Sequence, residues 1–126
     1  MIKSVHHVQV SIPIGSEDVA RDFYCGTLGM TEIPKPEPLL GRGGFWAELD
    51  GFQVHFGTED GIDRSRSKAH VAYLVNDLEH CRHVLAGKGV EITDGIPIPG
   101  YSRFEFRDPF GNRVELLQRL QTEAVL

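Results

Sequence analysis

Hydrophobic and polar residues alternate in HVQVSI, which opens at His7, and again in HVAYLV, which opens at His70. A period of two marks strands with one buried face. Each run is followed by a stretch with helical spacing. The first extends from Ser16 to Leu28, with Ser16 placed as a cap, Glu17 and Asp18 in the first turn, and Val19, Phe23 and Leu28 along one stripe. In the second, Asp77 is the cap and Leu78, Cys81 and Leu85 fall on one side of the helix. Gly29 stops the first helix, and Gly87 with Gly89 stops the second. Short extended pieces come next, GMTEI from Gly29 and GVEI from Gly89. Two strands then close each copy: FWAEL and FQVHF around a turn at Asp50-Gly51, and RFEFR and NRVELL around the turn DPFG.

The order strand-helix-strand-strand-strand therefore occurs twice, in modules spanning about residues 5–58 and 69–118. The polar segment 57–68 joins them, and the Pro-rich segment 34–44 reads as an irregular rim or lid. Aligning Gly51 with Gly111 sets Phe52-Gln53-Val54-His55 on Asn112-Arg113-Val114-Glu115. Strand parity then assigns faces. Val8, Val10 and Ile12 lie under the helix, leaving His7, Gln9 and Ser11 on the other side. The same parity generates four related positions, His7, His55, His70 and Glu115. Three imidazoles and a carboxylate suit a divalent ion such as Zn, Ni, Mn or Fe. Without His55, the remaining two His and one carboxylate are the facial set of non-haem Fe(II) oxygenases. A buried Glu115 with neither metal nor partner would be costly, which favours the metal. His6, His80 and His83 read as ordinary side chains.

Composition narrows the partners. The 126 residues carry 13 Lys+Arg against 18 Asp+Glu, a net charge of −5, which disfavours nucleic acid. The two cysteines, Cys25 and Cys81, belong to no CxxC pair and read as reduced thiols. No apolar run approaches the roughly 20 residues that span a bilayer, and MIKSVHHVQV is too polar for a signal peptide. The expectation is a cytoplasmic protein with no membrane partner and a small-molecule substrate.

HVQVSI, RDFYCGTLGM, GRGGFWAEL, FQVHFG, KAHVAYLV and SRFEFRDPFGNRVELL resemble the vicinal-oxygen-chelate (VOC) superfamily, over nearly the whole chain, from about Val5 to Gln118. That superfamily includes glyoxalase I, extradiol dioxygenases, methylmalonyl-CoA epimerase, fosfomycin-resistance thiol transferases and bleomycin-binding proteins. The resemblance implies an α+β fold in which paired βαβββ modules curl into a cupped, mostly antiparallel sheet around a metal and ligand cavity. It places metal ligands on His7, His70 and Glu115. At the fourth position glyoxalase I-like members carry a carboxylate and the epimerases a glutamine, where this chain has His55. Whether His55 binds the ion or supports a ligand stays open at this level.

Three functions follow. The first is a metal-dependent lyase or isomerase acting on a small oxygenated metabolite through a metal-stabilised enolate, with Glu115 moving a proton. The second is an Fe(II) dioxygenase using His7, His70 and Glu115. The third is a binding or resistance protein without catalysis. Arg103 and Glu105 share cavity parity, and Arg103 either holds an anionic or carbonyl group of the substrate or forms an ion pair with Glu105. Gln9 and Gln53 complete the candidate substrate contacts. Open strand edges, which relatives close by pairing or exchanging modules, lead us to expect a homodimer.

Overall fold

The computed structural model describes residues 1–121. The chain divides into two compact units, Met1–Asp63 and a second that begins at Arg64.

In the first unit, β1 (His7–Ile12) is followed by α1 (Glu17–Arg21), β2 (Thr31–Ile33), β3 (Phe45–Leu49) and β4 (Phe52–Thr58). The sheet order is β1-β4-β3-β2, with β1 parallel to β4 and the other pairings antiparallel. The second unit repeats it: β5 (His70–Leu74), α2 (Leu78–Gly87), β6 (Ile92–Asp94), β7 (Tyr101–Arg107) and β8 (Arg113–Arg119) form a sheet of order β5-β8-β7-β6. Here β5 and β8 are the parallel pair. The architecture is thus α+β with two open, mixed four-stranded sheets, as the repeat implied. No helix among the described residues is long and apolar enough to cross a membrane.

Alternation builds both cores. Ile12, Ala20, Tyr24, Phe45, Val54 and Phe56 are buried in the first unit, where the Phe56 ring stacks on Phe45 at 4.5 Å and meets Tyr24 at 4.6 Å. In the second, Tyr73, Leu78, Leu85, Phe104, Phe106, Val114 and Leu116 are buried. The hairpin between β3 and β4 turns through Asp50 (φ 42°) and Gly51 (φ 80°), the mirror-image geometry that matches strand twist. The glycine at 44 has a different task. A Cβ there would lie 2.0 Å from the Phe56 carbonyl oxygen, so only glycine lets the segment before β3 close onto β4.

The helices depart from the pattern. The Ser16 hydroxyl donates to the Pro13 carbonyl at 2.6 Å and does not cap α1. After Arg21 the helix widens into a π-helix, Asp22–Thr27, with Leu28 N–H donating to Phe23 O at 2.9 Å. The inward face runs through Ala20, Phe23 and Tyr24, at i, i+3 and i+4, whereas Val19, expected on the apolar stripe, is 51% exposed. Asp77 does cap α2, accepting from His80 N–H at 3.0 Å. The Pro-rich segment, expected to be irregular, contains a 3₁₀ turn at Glu37–Arg42, and β6 begins three residues later than the GVEI run. The division between units falls inside the polar segment 57–68.

Candidate functional site

In the first unit, pairing of β1 with β4 sets His7 against Gln53 and Gln9 against His55, and pairing of β3 with β4 sets Trp46 against His55. The consequence is a stack of three rings. His55 lies between Trp46, centroids 3.7 Å apart and planes 2° from parallel, and His7, at 4.0 Å and 18°. His55 is 5% exposed, and its Nε2–H, with the tautomer assigned from the acceptor, donates to Gln53 Oε1 at 2.9 Å. Burial lowers the imidazole pKa to about 4, helped by positive charge on His7, His6 and Lys35, so His55 is neutral at pH 7. The His7 ring meets His6, with Nδ1 atoms 3.0 Å apart. Beside the stack opens a cleft of about 540 Å³, whose lining includes His7, Gln9, Lys35, Arg42 and Trp46. Gln9 is seated there because residue 57 is glycine: a Cβ would lie 2.3 Å from Gln9 Nε2.

In the second unit the same register yields a charged cluster. His70 lies against Arg113, Ala72 against Glu115, and Glu105 against Glu115. Two neighbouring carboxylates demand cations. Arg103 Nη1–H donates to Glu115 Oε1 at 2.8 Å and to Glu105 Oε1 at 3.1 Å, and its Nε–H to the Ile96 carbonyl at 3.0 Å. Arg113 adds two bonds to Glu105, one of them Nε–H to Oε2 at 2.9 Å. These bonds, led by those of Arg113, hold the Glu105 carboxyl below the usual carboxylate range despite burial. Arg103 is therefore the ion-pair partner of Glu105, and it extends to Glu115. Glu115, expected to need a metal because it would otherwise be unpartnered, is already compensated by the Arg103 guanidinium, so its burial does not by itself require an ion.

Metal fit follows from the donor atoms. His70 Nδ1–H donates to the Lys68 carbonyl at 2.9 Å, which leaves the Nε2 lone pair 3.5 Å from Glu115 Oε1. Two lone-pair atoms facing each other at that distance suit a shared cation, because ligands about 2.1 Å from one ion at right angles stand roughly 3 Å apart. The pair His70 and Glu115 fits a divalent metal. The His7–His55 stack differs: parallel rings carry their lone pairs in separate planes, so in this arrangement the stack offers an ion one imidazole, not both. Gln53 and Trp46 fix His55, which makes it the residue that orients His7. Among the described residues no group of three or more His, Cys, Asp or Glu side chains is close enough to hold an ion.

Sequence reasoning missed His6, Lys35, Arg42 and Trp46. Parity could have found Trp46, which sits opposite His55 inside a strand that was recognised. His80 and His83 lie on α2, and both are exposed.

A family model described as the Glyoxalase/Bleomycin resistance protein/Dioxygenase superfamily matches residues 4–116. No curated protein matches the chain. Among solved structures, a Bacillus anthracis protein assigned to the glyoxalase family is 39% identical, with a TM-score of 0.87, covering 95% of this chain and 98% of its own. A glyoxalase/dioxygenase from Nostoc punctiforme is similar in fold, at 18% identity and TM-score 0.77 over 94% and 92% of the two chains. So is the fosfomycin resistance protein FosX of Listeria monocytogenes, solved with Mn(II) and sulfate, at 16% identity and TM-score 0.75 over 95% and 93%.

Proposed function

The chain belongs to the glyoxalase/bleomycin resistance protein/dioxygenase superfamily, and on that premise we propose that it is a metal-dependent enzyme performing lyase or isomerase chemistry on a small oxygenated metabolite. The observation that carries this reading is the His70–Glu115 pair, a lone-pair nitrogen and a carboxylate oxygen held 3.5 Å apart. In the second unit the residues proposed for the metal are His70 and Glu115; in the first, His7 is the proposed ligand, and His55 joins it only if it leaves its stack. Zn, Ni, Mn and Fe all suit these donors, and the FosX complex with Mn(II) supports divalent metal use in this fold.

When bound, the ion supplies Lewis-acid polarisation of a substrate oxygen. The chain supplies the rest. Lys68 O fixes the His70 tautomer, and Arg103 orients Glu115, the base that moves a proton at the carbon beside the polarised group. Gln9 lines the cleft and Gln53 holds His55. The test is deuterium incorporation from D₂O into a panel of small carbonyl and hydroxy-acid substrates, followed by NMR. The reading expects exchange in the metal-loaded protein and a loss of at least about 100-fold in Glu115→Gln; undiminished exchange in that variant overturns the role of Glu115.

A second reading, an Fe(II) dioxygenase, is favoured by one feature: the engagement of His55 with Trp46 and Gln53 leaves two His and one carboxylate as the candidate ligands. Oxygen uptake on catechols with Fe(II) would select it. Both readings include a homodimer, for which sedimentation at twice the chain mass is expected and a stable monomer at micromolar concentration is contrary. The two free thiols accord with a cytoplasmic location.

A further inference from the structure

We propose that the cleft of the first unit binds the carboxylate or phosphonate head group of a small organic acid through Lys35 and Arg42. This names a substrate class for the function proposed above, and depends on that function only for the bound acid being a substrate.

The cleft's described lining includes both these cations and no Asp or Glu. On a chain of net charge −5, such a lining departs from the average surface and focuses positive potential. Lys35 is held in place: its Nζ donates to the Gly43 carbonyl at 2.6 Å, which uses one of three N–H directions and leaves two for a ligand. Arg42 is the next residue back along the chain from Gly43. Among the described residues it has no ion-pair partner, whereas Arg21, Arg82, Arg103 and Arg113 are each committed to a carboxylate. The loop bearing Arg42 is pinned, since Gly44 closes onto the Phe56 carbonyl with no room for a Cβ.

The remaining lining suits the rest of such a molecule. Leu39 and Trp46 offer apolar surface for a short carbon skeleton. A carboxylate or phosphonate accepts from Arg42 in a forked geometry and from Lys35 as a point charge, which a neutral isostere cannot do.

The experiment uses chelator-stripped protein at constant ionic strength. Trp46 is the only tryptophan, lines the cleft and stacks on His55, so its emission reports binding. Methylphosphonate, propionate and the neutral propionamide are titrated, with calorimetry in parallel. The expected result is saturable binding of one or both anions, with Kd raised at least 10-fold in Lys35→Met and in Arg42→Met and no response to propionamide. A preference between the anions identifies the head group. Absence of saturable binding by either method overturns the proposal, as does equal binding by both variants or by propionamide. Because no metal is present, the outcome separates from the enzymatic reading: anion binding by a chain that never takes up metal preserves this site and removes the metal mechanism, while metal uptake without anion binding does the reverse.

Discussion

The two units set the same backbone to opposite electrostatic uses. Relative to the strand that opens each unit, His55 and Glu115 hold equivalent places, as do Trp46 and Glu105 across the hairpin, and Gln53 and Arg113 opposite the leading histidine. In the first unit these positions hold rings and an amide, and the buried imidazole is kept neutral. In the second they hold two carboxylates and an arginine, and Arg103 joins them. The βαβββ topology fixes where side chains meet and leaves open whether the meeting point is neutral or charged. Two residues before Trp46 stands Gly44, and two before Glu105 stands Arg103: one position is closed by backbone contact, the other filled by a guanidinium.

Substitutions at those two positions are the strongest way to break the comparison. Gly44→Ala forces a Cβ against the Phe56 carbonyl at φ 75°, and a loss of more than about 3 kcal/mol is expected in urea unfolding. Arg103→Met leaves Glu105 and Glu115 facing each other with Arg113 alone, at 16% and 8% side-chain exposure. A loss of about 3 kcal/mol is expected, from the penalty for breaking a buried pair. Loss well below 1 kcal/mol in either variant would show that the contact is not structurally required.

Acid should separate the units next. His55, held at about 4, is more readily protonated in the unfolded chain, where its value is near 6.5. The unfolded state therefore binds more protons between those values, and unfolding free energy rises with pH across that window. The His55 contribution is complete above about pH 6.5 and falls away toward pH 4, by at most about 3 kcal/mol. Glu105, depressed by its arginines, contributes above about pH 4.3 and loses that contribution only as pH falls further. Urea midpoints of metal-free protein at pH 7, 5.5 and 4.5 should fall in the wild type and stay nearly level in His55→Phe, which keeps a flat ring in the stack. A smaller effect is expected of Gly95→Ala. Its Cβ would sit 2.7 Å from the Arg103 guanidinium carbon, the end of a flexible side chain that can yield, so stability should change by less than about 1 kcal/mol.

Period-two alternation with glycine landmarks was enough to read both sheets, because a one-residue slip would have exposed each core. The same parity brought out His7, His55, His70 and Glu115. It did not reveal that Glu115 is partnered, since Arg103 reaches it from the neighbouring strand by a side-chain path that pattern does not encode. Lys35 and Arg42 escaped notice because they sit in an aperiodic segment, placed by a glycine contact with β4. The π-helical continuation of α1 has no periodic signature either, and the inward stripe of α1 starts at Ala20, one residue beyond the Val19 that the pattern selects.

On this reading the His70–Glu115 pair of the second unit binds metal, while His55 of the first holds the His7 ring in its stack and is not itself a ligand. Equilibrium titration of chelator-stripped protein with Mn(II) or Zn(II), comparing wild type, His55→Phe and Glu115→Ala, tests it most directly. The account predicts one ion per chain in the wild type, affinity within about 10-fold of that in His55→Phe, and a loss of at least about 100-fold in Glu115→Ala. Full affinity in Glu115→Ala together with its loss in His55→Phe would contradict it.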